Sequence, residues 1–251
     1  MKEKIHTIPI HEAFESTDEC PFCYMERDAQ RRAIRFFAGP SASYMEPGIR
    51  ELTNEKGFCR YHMKALYDYG NPLGSALMVQ THYARLLEEL QRQTENYEIP
   101  QKKPLFRRRK PAPTAKPYWQ TLRERLSSCA ICDQADDSMD RAYRVFFDLV
   151  REEEFRRSVA ACKGFCLCHF SRLLREAEDH LPENQKEWFY PTVYKVMESN
   201  MVRVKEDLDW FVAKHDYRNA GADWRNSLDA LPRSMQKIQG TNPADPPHRK
   251  D

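Results

Sequence analysis

The sequence has little glycine and no long apolar run, and both shortages exclude classes of function. Only eight of its 251 residues are glycine, which leaves little scope for a glycine-rich loop that holds nucleotide phosphates with its backbone. No stretch approaches the ~18 consecutive apolar residues of a membrane-spanning helix, so no membrane association is expected. No nucleophile elbow and no His-Glu-x-x-His motif occur. The sequence offers no reaction centre, which favours a protein that is not an enzyme.

An export signal is also missing from the sequence as given. Residues 1–14 are charged, are interrupted by Pro9, and contain neither an apolar core nor a small-residue cleavage site. The cytoplasm is therefore the expected location, and an exported solute-binding role is disfavoured. In that reducing compartment, eight cysteines favour metal ligation over disulfide bonds.

Six of the eight cysteines belong to a pattern that occurs twice. Cys20-Pro21-Phe22-Cys23 is followed by Gly57-Phe58-Cys59-Arg60-Tyr61-His62, and Cys129-Ala130-Ile131-Cys132 by Gly164-Phe165-Cys166-Leu167-Cys168-His169. The intervening gaps are 35 and 33 residues. A Phe-Phe pair follows the second cysteine of each Cys-x-x-Cys by 14 or 13 residues. We therefore predict an internal duplication.

Each copy offers three thiolates and one imidazole, which is a complete tetrahedral ligand set for zinc. The sequence predicts one site from Cys20, Cys23, Cys59 and His62, and a second from Cys129, Cys132, Cys166 and His169. Two zinc ions per chain are expected. Both sets are closed, without a position for water, which is typical of structural rather than catalytic zinc. The alternatives are a redox pair and cysteines that simply pack in a core.

Helix starts are expected to position the ligands. Cys59 and His62 are three residues apart, so in the first turn of a helix they point the same way. The free N–H groups and positive dipole end of a helix N-terminus favour thiolate over thiol. Cys20 and Cys23 also begin a predicted helix, which runs to about Phe37. Each copy is thus predicted to be a small helical hairpin that its own metal ion holds together.

The predicted fold class is all-α, with two tandem zinc-stapled helical repeats that pack pseudo-symmetrically. Residues 1–98 form an N-terminal arm and repeat 1, 99–117 a basic proline-rich linker, 118–216 repeat 2, and 217–251 a C-terminal helix with a disordered tail. Each repeat contains a long amphipathic helix, over 73–94 and 183–215.

Smaller elements are predicted from local signals. Residues 5–10 are expected to be an extended arm on repeat 1, and the turn formers in 40–56 predict a loop. A last helix is expected over 227–238. Its apolar residues are expected to form one docked face, and they are Trp224, Leu228, Leu231 and Ile238.

Cys162 and Cys168 lie outside the duplicated pattern, beside the second set. They are incidental thiols, or they form a redox-responsive or metal-responsive sensor in which a spare thiol displaces a ligand. An iron–sulfur site drawn from Cys129, Cys132, Cys162, Cys166 and Cys168 is the least favoured alternative.

A basic segment leaves a further function open. Residues 102–117 hold seven basic residues and no acidic one, including Arg107, Arg108, Arg109 and Lys110. These four could contact a nucleic-acid backbone. A soluble tether is the favoured interpretation, because the rest of the chain is acidic on balance and repels phosphate.

Several segments resemble those of a bacterial family of unknown function that is also built on Cys-Pro-x-Cys and Gly-Phe-Cys-x-x-His. The similar stretches extend over nearly the whole chain, and they are residues 4–9, 43–47, 53–59, 216–219 and 226–233. The long basic segment departs from the family's pattern. The resemblance implies no activity.

Together these observations predict a non-enzymatic cytoplasmic zinc-binding protein that acts as a protein-interaction scaffold. The sensor and the nucleic-acid-binding module are the alternatives. The partner and the oligomeric state do not follow from the sequence.

Overall fold

The computed structural model describes residues 6–41, 43–97 and 116–245, and this part of the chain is all-helical. It contains no strand and no helix long and apolar enough to cross a membrane. Its α-helices are α1 (Ile8–Glu15), α2 (Pro21–Ala38), α3 (Pro47–Lys56), α4 (Arg60–Tyr69), α5 (Pro72–Glu95), α6 (Tyr118–Ser127), α7 (Ala130–Leu149), α8 (Glu153–Ala161), α9 (Leu167–His180), α10 (Glu183–Lys214) and α11 (Ala230–Gln239). Two short 3₁₀ helices span Ser43–Met45 and Tyr217–Asn219.

The chain forms two compact units, and each contains segments of both sequence copies. Of the described residues, the first unit comprises 6–29 and 136–245, and the second comprises 30–41, 43–97 and 116–135. The divisions fall inside α2 and α7. The compact units therefore do not follow the repeat boundaries 1–98 and 118–216. The duplication and its pseudo-symmetry stay predictions.

Aromatic side chains form the core of the first unit. Phe22, in the first turn of α2, stacks on Tyr143 of α7 with ring centroids 4.2 Å apart. Phe14 of α1 contacts Phe146 and Phe155 at 5.8 and 5.0 Å. Such pairs add roughly 0.5–1.5 kcal/mol each to the free energy of area burial. They fix the start of α2 against the later turns of α7.

The core of the second unit joins the other ends of the same two helices. Phe37, near the end of α2, contacts Phe58 with centroids 6.1 Å apart. Ile131, in the first turn of α7, is buried in the same cluster. The N–H of Ala130 donates to the carbonyl of Gly57 over 3.0 Å, so a free helix N-terminal donor is satisfied. The start of α7 therefore lies beside Gly57.

Two local predictions are wrong, and in both segments a proline lies in the first turn of a helix. The expected extended arm is α1 from Ile8 onward, and it packs on α8 as well as on the first copy, where Phe14 contacts Phe22 of α2 with ring centroids 6.5 Å apart. The expected loop 40–56 contains α3. Pro9 and Pro47 both occupy the first turn of their helices, where the missing N–H costs nothing. Residues 1–5 lie outside the described part.

The C-terminal helix forms near the predicted bounds but buries the opposite face. Arg233, Gln236 and Lys237 are buried, whereas the predicted apolar face is exposed at Leu228, Leu231 and Ile238. The expected apolar docking is therefore wrong. The polar residues turn inward because they meet carboxylates near Cys20, as described below. Of the predicted disordered tail, residues 246–251 lie outside the described part.

Candidate metal centres

The first candidate centre lies in the first unit and consists of Cys20, Cys23, Cys166 and His169. All four residues are buried, and their ligand atoms lie within 4.8 Å of one another. Nδ1 of His169 is 3.6, 3.4 and 3.2 Å from the Sγ atoms of Cys20, Cys23 and Cys166. Cys166 is the N-cap of α9, and His169 follows in its first turn.

The second candidate centre lies in the second unit and consists of Cys59, His62, Cys129 and Cys132. Nδ1 of His62 is 3.4 Å from Sγ of Cys59 and 3.3 Å from Sγ of Cys129 and of Cys132. The Sγ atoms of Cys59 and Cys132 are 3.8 Å apart. Cys59 and Cys132 are only partly buried, so this centre is the more accessible of the two.

The structure brings the eight predicted residues together, but the predicted pairing within each copy is wrong. The Cys-x-x-Cys of each copy meets the Gly-Phe-Cys-x-x-His of the other copy. The prediction that each copy is a hairpin held by its own ion fails with it. Phe58, which precedes Cys59, packs on Phe37 near the end of α2. Phe165, from the other copy, packs instead on Phe22 beside Cys20.

The lysine before each Gly-Phe-Cys motif supports the crossed arrangement. Lys163 donates to the carbonyl of Thr17 over 2.6 Å, near Cys20. Lys56 forms an ion pair with Asp133, next to Cys132. In each unit a lysine therefore ties one ligand-bearing segment to the other.

The ligand atoms fit a tetrahedral zinc ion. With Zn–S bonds of ~2.3 Å and Zn–N bonds of ~2.0–2.1 Å, the S···N edges of a tetrahedron are ~3.5 Å and the S···S edges ~3.8 Å. The S···N distances of 3.2–3.6 Å in both centres, and the S···S distance of 3.8 Å in the second, lie at or near these lengths. The donor set is therefore already arranged as a small tetrahedral cation requires.

Backbone N–H groups donate hydrogen bonds that stabilise the negative charge of thiolates in both centres. The N–H of His169 donates to Sγ of Cys166, and the N–H of Cys132 donates to Sγ of Cys129, both over 3.4 Å. Both bonds lie at helix starts, where the positive dipole end favours a thiolate. The predicted helix N-termini thus take part in both centres.

Thiol pKa values in the first centre show how much negative charge it accepts without a cation. Burial alone would raise the pKa of Cys20, but hydrogen bonds from the thiols of Cys166 and Cys23 hold that pKa well below its ordinary value. Hydrogen bonding with Cys166 and Cys20 raises the pKa of Cys23, and burial raises it further. The opposite directions of these two pKa shifts favour a thiolate at Cys20 and a protonated thiol at Cys23.

The second centre shows the same resistance to charge. Burial raises the pKa of Cys129. Burial and then the negative charge of Cys129 raise the pKa of Cys132. Full deprotonation of either cluster therefore requires a compensating cation.

These raised pKa values give a pH prediction. Because Cys23, Cys129 and Cys132 have raised pKa values and hold their protons at neutral pH, a metal ion has to displace those protons, so loading should release protons at pH 7. Metal affinity should then fall as the pH decreases, since protons compete for the same sulfurs. A pH-indicator titration with zinc in weak buffer measures this release. Loading without proton release would show that the thiols are not the ligands.

Glu26 is a neighbour of the first centre that sequence reasoning missed. Because Nδ1 of His169 faces the sulfurs, its Nε2 points outward and lies 3.5 Å from Oε2 of Glu26. Burial raises the pKa of Glu26, against the opposing attraction of His169. A carboxylate on the outer nitrogen fixes the tautomer and orientation of a ligating histidine. The sequence places Glu26 one helical turn after Cys23, and this spacing could have indicated a carboxylate beside the centre.

The end of α11 covers the first centre. Gly240 caps α11 with φ of 82°, and a Cβ added there would lie 3.3 Å from Sγ of Cys166 and 3.8 Å from Sγ of Cys23. Glycine is required here both for the left-handed backbone and for the close approach to sulfur.

We expect Gly240→Ala to lower the free energy of unfolding of the zinc-loaded chain by about 2 kcal/mol. The matched control is Gly70→Ala. Gly70 caps α4 with φ of 83° and has no atom within 4 Å of an added Cβ, so only the backbone term of about 1 kcal/mol applies. Thermal or denaturant melting compares them. Equal losses would show that the approach to sulfur is unimportant.

An ion-pair network attaches α11 beside Cys20. Lys237 and Glu19 are 1% and 2% exposed, with Nζ 3.2 Å from Oε2 of Glu19. Arg203 contacts the same carboxylate over 2.6 Å, and Gln236 donates to Asp18 over 2.6 Å. This network explains why the charged face of α11 is buried.

Cys162 and Cys168 belong to neither group of candidate ligands. Burial raises the pKa of Cys162 to about 11 and also raises the pKa of Cys168. A reactive redox thiol needs the opposite shift. The five-cysteine iron–sulfur set does not converge, since Cys129 and Cys132 belong to the second centre. The predicted nucleic-acid contacts Arg107, Arg108, Arg109 and Lys110 lie outside the described residues.

Comparison with known proteins identifies the family without a function. The model of DUF6062, a family of unknown function, matches residues 1–245, and the chain belongs to this family. No curated protein and no solved structure matches the chain.

Proposed function

We propose that this member of a family of unknown function is a zinc-binding protein with two structural Cys₃His centres, which acts through protein contacts and not as an enzyme. The observation on which the proposal depends is the pair of four-residue clusters whose S···N distances match the edges of a zinc tetrahedron. Three thiolates and one imidazole are a common structural zinc set.

A structural role agrees with the closed geometry of both clusters. Each has four protein ligands, and catalytic zinc ordinarily has three with an open position for water. In the first centre the four residues are buried, and Gly240 lies against two of the sulfurs. A bound ion there would have no room for a substrate.

The metal would hold together segments that are far apart in the sequence. Cys20 and Cys166 belong to one centre, and His62 and Cys129 to the other. Bringing such distant segments together costs loop-closure entropy, which metal binding offsets. A chain fixed in this way presents its long helices as a rigid surface, and this is the basis for proposing a scaffold.

Elemental analysis of freshly purified full-length protein tests the proposal. We expect two zinc ions per chain, one for each tetrahedral set. Replacement with cobalt should give the intense visible absorption of tetrahedral thiolate coordination at both centres. A metal-free preparation that cobalt and zinc leave unchanged would contradict the proposal, as would stoichiometric iron with a brown colour.

A further inference from the structure

Helix α5 exposes a continuous seam along its whole length. Of its 24 residues, only Gly74 and Met78 are buried. Leu73 and Tyr83 are 68% and 67% exposed, and Leu87 and Leu90 are about half exposed. The seam is the subset of exposed positions that follow a spacing of three and four residues, and they are Leu73, Ala76, Gln80, Tyr83, Leu87, Leu90 and Thr94.

The opposite side of α5 attaches the helix to its own unit. Met78 is buried in the core of the second unit, and Nδ1 of His82 lies 2.9 Å from the carbonyl of Asn54. Arg85 contacts Glu51 over 3.4 Å, and Glu89 forms an ion pair with Arg125 of α6. The seam is therefore not needed to hold α5 in place within the described residues.

The spacing identifies the kind of surface that fits the seam. Alternating intervals of three and four residues over three heptads are the a and d positions of a coiled coil, which pack into a facing helix. The side chains that flank the seam are uncharged, and they are Leu77, Val79, Ala84, Leu86, Gln91 and Gln93. An amphipathic helix is accordingly the complementary partner.

We propose that this partner is α5 of a second copy of the chain, in a two-fold symmetric pair. The flanking e and g positions normally carry the charges that select a different partner or exclude a like one. Because they are uncharged here, a copy of the same helix meets no like-charge repulsion. A two-fold axis makes one patch serve both protomers.

The surface is smaller than a standard interface, so a weak pair is expected. A helix of this length spans about 36 Å, and the seven seam positions with their six flanking positions make thirteen residues. A standard interface buries about 800 Å² per partner with roughly 20–30 residues. Gln80, the polar residue at an a position inside the seam, would fix the register at some cost in stability.

Sedimentation velocity of the zinc-loaded full chain from about 1 to 100 μM, a range that covers micromolar dissociation constants, tests the proposal. We expect a monomer–dimer equilibrium that Leu87→Glu weakens by more than about tenfold, because it places a charge in an apolar interface. Arg92→Glu is the control, since it introduces the same carboxylate on α5 outside the seam.

Helicity and zinc content should be unchanged in both variants, because the substituted side chains are exposed. A failed dimer can thus be distinguished from failed zinc binding. A chain that stays monomeric throughout the range, or a dimer that neither Leu87→Glu nor Tyr83→Lys weakens, would overturn the proposal. The seam would then belong to the helix of a different protein or to no interface.

Discussion

Chelation of both metal ions is expected to abolish the cooperative thermal transition and most of the helicity of the chain. Metal binding at a structural thiolate site contributes on the order of 10 kcal/mol of folding free energy, which is comparable to the whole stability of a domain of ~5–15 kcal/mol. Cys20, Cys23 and Cys166 are themselves members of the first unit's core, and Cys129 belongs to that of the second. Loss of the ion therefore removes the bonds that join distant segments inside both cores.

Circular dichroism with a zinc chelator measures this effect, and the same chelator already saturated with zinc is the control. Added zinc should restore the signal. The chain should lose its helices in two steps if the partly exposed second centre releases its ion first. Chelated protein that keeps its helicity and melting temperature would show that the centres do not stabilise the fold.

Removal of the Glu19 carboxylate is expected to be the most damaging substitution outside the metal ligands. Burial alone would raise the pKa of Glu19, but the hydrogen bond from Arg203 and the charge of Lys237 lower it, so the carboxylate is ionised at neutral pH. Glu19→Gln leaves the Lys237 ammonium buried beside an uncharged group. Breaking a buried pair in this way costs roughly 3–5 kcal/mol.

Two comparisons make the Glu19 result interpretable. Asp209→Asn removes the surface pair with Lys205, whose side chains are 61% and 71% exposed, and such exposed pairs contribute less than about 1 kcal/mol. The double variant Glu19→Gln with Lys237→Met should recover part of the loss, because no unpaired charge remains. Denaturant unfolding of zinc-loaded protein provides the values. A Glu19→Gln loss no larger than that of Asp209→Asn would show that the network does not stabilise α11.

The helical class and the residues that gather at the two centres could be predicted, because both depend on local spacing. Helical periodicity and turn residues are local signals. Two ligands three residues apart at the start of a helix are also a local signal. Which Cys-x-x-Cys motif meets which Gly-Phe-Cys-x-x-His motif does not depend on local sequence. It depends on which distant aromatic side chain packs at each end of α2, where Phe165 meets Phe22 and Phe58 meets Phe37, and local sequence does not reveal these contacts.

The face of α11 could not be predicted for a related reason. An apolar stripe is ordinarily buried, so Leu231 and Ile238 were expected to face inward. Lys237 is instead buried because Glu19, more than 200 residues earlier in the chain, supplies a carboxylate that its own helix does not reveal. The same pattern on α5, where Leu87 faces outward while Arg85 contacts Glu51, shows that apolar periodicity identified the helix but not its buried side.

Zinc stoichiometry of paired cysteine variants tests the crossed arrangement most directly. Cys20→Ser with Cys166→Ser damages a single centre in this structure, so the chain should retain about one zinc of two. Cys20→Ser with Cys59→Ser damages both centres and should leave about none. The reverse result, with one zinc kept by the Cys20 and Cys59 variant and none by the Cys20 and Cys166 variant, would contradict it.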